Sequence, residues 1–175
     1  MKRAPAESHE NWTLPDGSAA TLRPIRSADM ELERAFVRNL SPQSKFKRFM
    51  GELKELSPDQ LYDFTHPDHE REAAYVVIRS TVAGEEEIGV GRFAAEPGSP
   101  TCEFAITIAD AWQGKGLGKR LINALMRDAK ARGYKYMIGF VLAANTRMID
   151  FCRGLGFAVE ASKDDATVRV VHRDL

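Results

Sequence analysis

The sequence contains no run of apolar residues approaching the ~18 that a membrane-spanning helix requires. It also lacks an excess of either charge: 25 lysines and arginines face 25 aspartates and glutamates, so the formal net charge is zero. A nucleic-acid partner, which normally demands a basic surplus, is not expected. Cysteine is scarce. Cys102 and Cys152 stand far apart, with neither metal-ligand spacing nor a disulfide framework, which suits a reducing compartment. Residues 1–11 are polar and have no signal-peptide core, so the expected location is the cytoplasm. Neither a membrane partner nor a metal is expected, and the oligomeric state is open.

With 43% hydrophobic and 29% charged residues, the composition is that of a folded globular chain, and 175 residues suffice for one core. Residues 1–18 read as an N-terminal extension, partly flexible, and residues 19–175 as a single domain.

Residues 19–25 alternate as a first strand. Leu32, Phe36, Val37 and Leu40 recur at helical spacing, and Ser41-Pro42 and Ser57-Pro58 each open a further short helix. Residues 74–78, 88–94 and 102–108 are β-forming runs, separated by a polar turn over 81–87 and by Glu96-Pro97-Gly98-Ser99-Pro100. Short connections make them an antiparallel meander. Leu117, Leu121, Leu125 and Ala129 then mark an amphipathic helix that Gly133 ends. A strand over 136–142, a helix capped by Asn145, and a hairpin over 157–160 and 167–172 complete the chain. The strand–helix–strand crossover from 102–108 to 136–142 requires those two strands to be parallel. The expected fold is therefore α/β (α+β): a mixed, mostly antiparallel sheet of six to seven strands, flanked by helices.

Chemistry concentrates between the third meander strand and the long helix, at Gln113-Gly114-Lys115-Gly116-Leu117-Gly118. Glycines there admit positive φ and close approach of a ligand, while amides at a helix start converge on an anion. By itself the segment is equally an anion site or a tight turn. Two nucleotide readings fail. Gly118-Lys119 is followed by Arg120 where a Walker loop needs a hydroxyl, and Gly114 is misplaced by one residue. The G-x-G-x-G spacing, late in the chain and after antiparallel strands, does not match a dinucleotide fingerprint.

The loop does resemble the signature of the GNAT superfamily of acetyl-CoA-dependent N-acetyltransferases: Gln or Arg, two residues, Gly, one residue, Gly or Ala. Ile106-Thr107-Ile108 resembles the strand end before that signature. Asn145, Met148 and Leu155-Gly156-Phe157 resemble the family's motif on the following helix. The resemblance covers residues 19–175. Further upstream, Leu40-Ser41-Pro42-Gln43-Ser44, Arg48-Phe49, Glu55-Leu56-Ser57-Pro58 and residues 68–73 look like the acyltransferase domain of bacterial Pat-type protein lysine acetyltransferases. Those often carry a regulatory domain, for which 175 residues leave no room.

The resemblance implies acetyl-CoA as donor, an amine acceptor such as a protein lysine, and direct attack in a ternary complex. A small-molecule amine acceptor or a silent acyl-CoA-binding module are the alternatives. The backbone of Ile106, Thr107 and Ile108 would pair with the pantetheine arm, where the parallel strands splay. The amides of Gln113, Gly114, Lys115, Gly116, Leu117 and Gly118 would hold the pyrophosphate, with the Lys115 or Lys119 side chain near it. Asn145 would touch the coenzyme or only cap its helix. Glu103 would be the general base, on one strand face with Ala105 and Thr107. Cys152 stands where many relatives have a tyrosine general acid, and reads as a buried structural thiol. His66 and His69 read as a surface loop rather than a metal pair. Lys45, Lys47 and Arg48 read as a solvated helix face rather than an acceptor patch.

Overall fold

The computed structural model describes residues 8–175. Eight strands form one sheet in the order β1-β2-β3-β4-β5-β6-β8-β7. The strands are β1 (Glu10–Thr13), β2 (Ala19–Pro24), β3 (Glu72–Thr81), β4 (Gly84–Ala94), β5 (Thr101–Ile108), β6 (Tyr136–Leu142), β7 (Ala158–Ala161) and β8 (Val168–Asp174). The helices are α1 (Met30–Asn39), α2 (Pro42–Phe49), α3 (Pro58–Thr65), α4 (Leu117–Ala131) and α5 (Thr146–Gly154). All neighbouring strands are antiparallel except β5 and β6, which the α4 crossover makes parallel.

Two core clusters lie on opposite faces of the sheet. On one, Leu117, Leu121, Leu125 and Ala129 of α4 are all at most 1% exposed and pack with Tyr75, Phe93 and Phe104 of the sheet. The four-residue spacing legible in the sequence is thus the buried stripe of α4. On the other face, Phe36 and Val37 of α1 and Leu61 of α3 cover Val76, Ile78 and Val90. Helix ends follow the sequence. Ser41 accepts from the Ser44 amide before Pro42, Ser57 and Gln60 form a capping box before Pro58, and Gly133 turns at φ 92° after α4.

Two expectations change. The sheet has eight strands because β1 pairs with β2 inside the stretch assigned to the extension. Four residues with no apolar run give little pattern to read. Tertiary contacts hold this strand: Trp12 lies under the Arg120 guanidinium at 4.3 Å, and Glu10 bridges Arg120 and Arg127. Residues 1–7 of the expected 1–18 extension lie outside the described residues. The polar stretch over 81–87 is a tight turn at Val82-Ala83, and Glu85, Glu86 and Glu87 belong to β4.

Glu87 is buried against α1 beside Glu33, with the two side chains 4% and 1% exposed. Neither Glu87 oxygen nor Glu33 Oε2 has a hydrogen-bond donor when both groups are ionised. Burial, followed by repulsion from Glu33, raises the Glu87 carboxyl well above the usual range. A protonated Glu87 supplies the donor that the pair otherwise lacks, while the Arg92 guanidinium stands 3.5 Å from Glu33. Since the folded chain holds this proton more tightly than the unfolded chain, stability falls as pH rises above the ordinary glutamate range. The fall ends once the raised value is passed. Glu87→Gln removes that term, so the variant should gain melting temperature over the parent above the ordinary glutamate range, with a gap that widens as pH rises toward the raised value.

Candidate active site

β5 and β6 pair only through Thr101, Cys102 and Glu103 against Tyr136, Met137 and Ile138. Continuing that register would place Phe104 beside Gly139. Instead the Phe104 ring, packed on Phe157 at 5.4 Å between centroids, occupies the space over Gly139. A Cβ on Gly139 would meet the ring at 2.7 Å. From there the strands part, although β5 stays paired with β4 up to Ile108 and β6 with β8 up to Leu142. The inner edges of both strands therefore face each other with unpaired backbone groups.

A cavity of about 470 Å³ occupies this parting. Phe104, Ile106 and Ile108 line it from the α4 side, while Ala105 and Thr107 line it from the opposite side, where Ser44, Lys47 and Arg48 of α2 form the wall. Lining by both faces of one strand means the cavity passes through the sheet. The β4–β5 register is unbroken, so Glu103 does share its face with Ala105 and Thr107.

The glycine loop closes one end. Gly114 and Gly116 adopt φ of 75° and 84°, the left-handed region that L side chains avoid, and Gly116 is the N-cap of α4. Gly118 has a different role: a Cβ there would meet the Phe151 ring at 3.3 Å, so its small size lets α5 close on α4. The Gln113 carboxamide donates to the Ile108 carbonyl at 3.2 Å and accepts from Arg147 at 3.3 Å. It thereby ties the strand end, the loop and α5 together. The loop is also tied to α2, because Asp110 accepts from the Ser41 amide (3.0 Å), the Ser41 hydroxyl (2.7 Å) and the Ser44 hydroxyl (2.7 Å). Burial opposes ionisation of Asp110, but these bonds from Ser41 and Ser44 hold its carboxyl below the usual range.

Ile106, Thr107, Ile108, Gln113, Gly114, Gly116, Leu117, Gly118, Lys119 and Asn145 all line the cavity. The Lys115 side chain does not. Its ammonium donates back to the Ala111 carbonyl at 3.2 Å and lies 5.6 Å from the Trp112 ring centroid. Asn145 both lines the cavity and caps α5, with its oxygen accepting from the Met148 amide at 3.4 Å. Glu103 is exposed and stands at the last paired position before the strands part, next to the lining residues Phe104 and Ala105. Cys152 is 1% exposed in the core, and burial pushes its thiol up to about 11, just as it pushes Cys102 up to about 12. Among the described residues, no group of three or more His, Cys, Asp or Glu side chains is placed to hold a metal.

Sequence reading missed Arg147, whose guanidinium lies 2.9 Å from where a Gly114 Cβ would sit and so brings a cation over the loop. It stands two residues after Asn145 with no motif of its own. Phe104 and Gly139 were missed as well, since the register that opposes them is invisible until β5 and β6 are paired.

Gly116→Ala should raise the dissociation constant for coenzyme A about tenfold by titration calorimetry, with only about 1 kcal/mol lost from stability through the φ of 84°. Gly139→Ala forces the Phe104 ring to move. A drop of about 1–3 kcal/mol in unfolding free energy, with weaker coenzyme binding, is the expected outcome by denaturant titration.

A model of the acetyltransferase (GNAT) family matches residues 36–157. An acetyltransferase of Pseudomonas aeruginosa is 39% identical over 169 residues, which is 94% of this chain and 89% of that protein. The acetyltransferase Pat of Mycolicibacterium smegmatis is 28% identical over 138 residues, 77% of this chain and 40% of that longer protein. The crystal structure of the GNAT domain of S. lividans PAT superposes with a TM-score of 0.86, covering 99% of this chain and 100% of that one at 28% identity. With the family model matching most of the chain and a relative 39% identical over nearly all of it, the chain belongs to the GNAT family of acetyltransferases, enzymes that draw their acetyl group from acetyl-CoA.

Proposed function

We propose that the protein transfers the acetyl group of acetyl-CoA to a primary amine, a protein lysine, by direct attack within a ternary complex, and that the described residues act as one catalytic domain. The cavity that passes through the sheet carries this reading. Donor and acceptor can enter from opposite sides and meet between the strands without either leaving first. The pantetheine arm is extended and bears amides, and the facing edges of β5 and β6 offer it unpaired backbone groups in the manner of an inserted strand. Its pyrophosphate falls to the amides of residues 113–118, with Arg147 and Lys119 as nearby cations.

The chemistry then follows. An ammonium must lose its proton before its nitrogen can attack, and a free lysine holds that proton to about pH 10.4. Glu103, on the α2 side of the sheet, takes it directly or through a water. The nitrogen lone pair adds to the thioester carbonyl, and a backbone amide of β5 stabilises the oxyanion, a role worth about 3–4 kcal/mol when well aimed. The C–S bond then breaks, and the coenzyme leaves as a thiolate or, once protonated, as the thiol. A thiol of pKa near 8.5 is a good enough leaving group that no dedicated acid is required. This suits a site where the buried Cys152 replaces a tyrosine.

Release of coenzyme thiol on mixing acetyl-CoA with lysine-bearing proteins and peptides tests the activity, with acetylated acceptor identified by mass spectrometry. Silence with every acceptor would overturn it. Glu103→Gln should lower kcat about 10²–10⁴-fold while leaving the coenzyme dissociation constant unchanged. The residual rate should climb toward high pH, as more amine becomes neutral by itself. Unchanged turnover across the pH range would remove Glu103 from the mechanism.

A further inference from the structure

The basic cluster of α2 divides into two unlike parts. Lys45 is 8% exposed and structural, its ammonium donating to the carbonyls of Arg38 at 3.1 Å and Lys54 at 2.6 Å. Lys47 and Arg48, by contrast, line the cavity. The Arg48 guanidinium lies 4.9 Å from the Phe49 ring centroid and 6.0 Å from that of Phe64, and these two rings stack on each other. Aromatic faces fix its position, yet no described carboxylate forms an ion pair with it. Burial and the neighbouring Arg92 push it down to about 10, so it keeps its charge at neutral pH.

Arg48 and Arg147 are therefore two cavity-lining guanidiniums without a carboxylate partner, on opposite sides of the sheet. Arg147 sits over the glycine loop, where the coenzyme's phosphates belong. Arg48 does not. Ser44, one turn earlier on α2, already touches Asp110 at the loop end, and a further helical turn carries Arg48 about 6 Å onward, toward Glu103. Along the same wall, Thr107 Oγ1 is buried without a hydrogen-bond partner. A fixed, charged guanidinium and an unmet hydroxyl, both beside the face that carries Glu103, make a receptor for an anion.

We propose that Arg48, assisted by Lys47 and the Thr107 hydroxyl, binds a carboxylate of the acyl acceptor, so that the preferred substrates are amines bearing a carboxylate close to the reacting nitrogen. The proposal rests on the acceptor entering from the α2 side. Such a carboxylate has two sources: an acidic residue flanking a protein lysine, or the carboxylate of a free amino acid. Either would hold the amine beside Glu103 and place the substrate's own negative charge on the guanidinium.

Matched acceptor pairs test this: lysine peptides with glutamate or glutamine at the flanking positions, and free amino acids with their carboxamides. The wild-type enzyme should favour the carboxylate member of at least one pair by tenfold or more in kcat/KM. Peptide and amino-acid pairs tell the two sources apart. Arg48→Gln should erase the preference mainly through KM, with the coenzyme dissociation constant unchanged, and Arg48→Lys should restore part of it. Equal kcat/KM within every pair overturns the proposal, as does a loss of coenzyme affinity in Arg48→Gln, which would assign that side chain to the phosphates. Should Arg48→Gln fail to fold, the wild-type pairs decide alone. The same pairs titrated into coenzyme-A-loaded protein read binding without turnover. Selective binding of carboxylates with no transfer would sink the catalytic reading and leave this site standing; no binding of any carboxylate member sinks this one.

Discussion

The cavity of this protein depends on β5 and β6 ceasing to pair after three residues. A parallel pair with free amides and carbonyls on both inner edges leaves hydrogen bonds unmade, and unless something holds it open, closing it is favourable. The Phe104 ring is that obstacle. Wedged over Gly139 and locked by Phe157, it stands where the next rung of the ladder would form. The opening is then a property of the packed core, because Phe104 is 4% exposed and belongs to the same cluster as the α4 stripe. A ligand entering the gap meets preformed edges and need not pry strands apart.

The polar groups around that opening divide by side of the sheet. On the α4 side the helix N-terminus, Arg147 and Lys119 gather positive charge at the loop. On the α2 side Glu103, Arg48 and the Glu33–Glu87–Arg92 group alternate in sign within a half-buried wall. Asp110 links the two sides, with its backbone in the loop and its carboxylate holding both serines of the α2 N-terminus. The short helix that walls one side of the cavity is thus anchored to the glycine-loop segment that closes its end.

Much of this was legible beforehand. The four-residue stripe of α4, the Ser-Pro helix starts and the glycine loop are local signals, and local physics decided them. The parallel placement of β6 followed from a single crossover. What escaped depends on partners distant in sequence. Glu-Asn-Trp-Thr of β1 becomes a strand because β2 and two arginines of α4 hold it. Glu85, Glu86 and Glu87 look like a turn, since acidic runs normally seek water, yet the last of them is buried by a helix fifty residues upstream. Lys45, Lys47 and Arg48 share one charge and one helix, but only the neighbours of each reveal that the first is structural and the others face the cavity.

The two thiols carry a consequence of their own. Both are buried, and burial holds both in the protonated, unreactive form. A colorimetric disulfide reagent added to the native enzyme would therefore meet no competing protein sulfur, and each equivalent consumed would count one coenzyme released. The folded chain is chemically transparent to the very probe that follows its reaction.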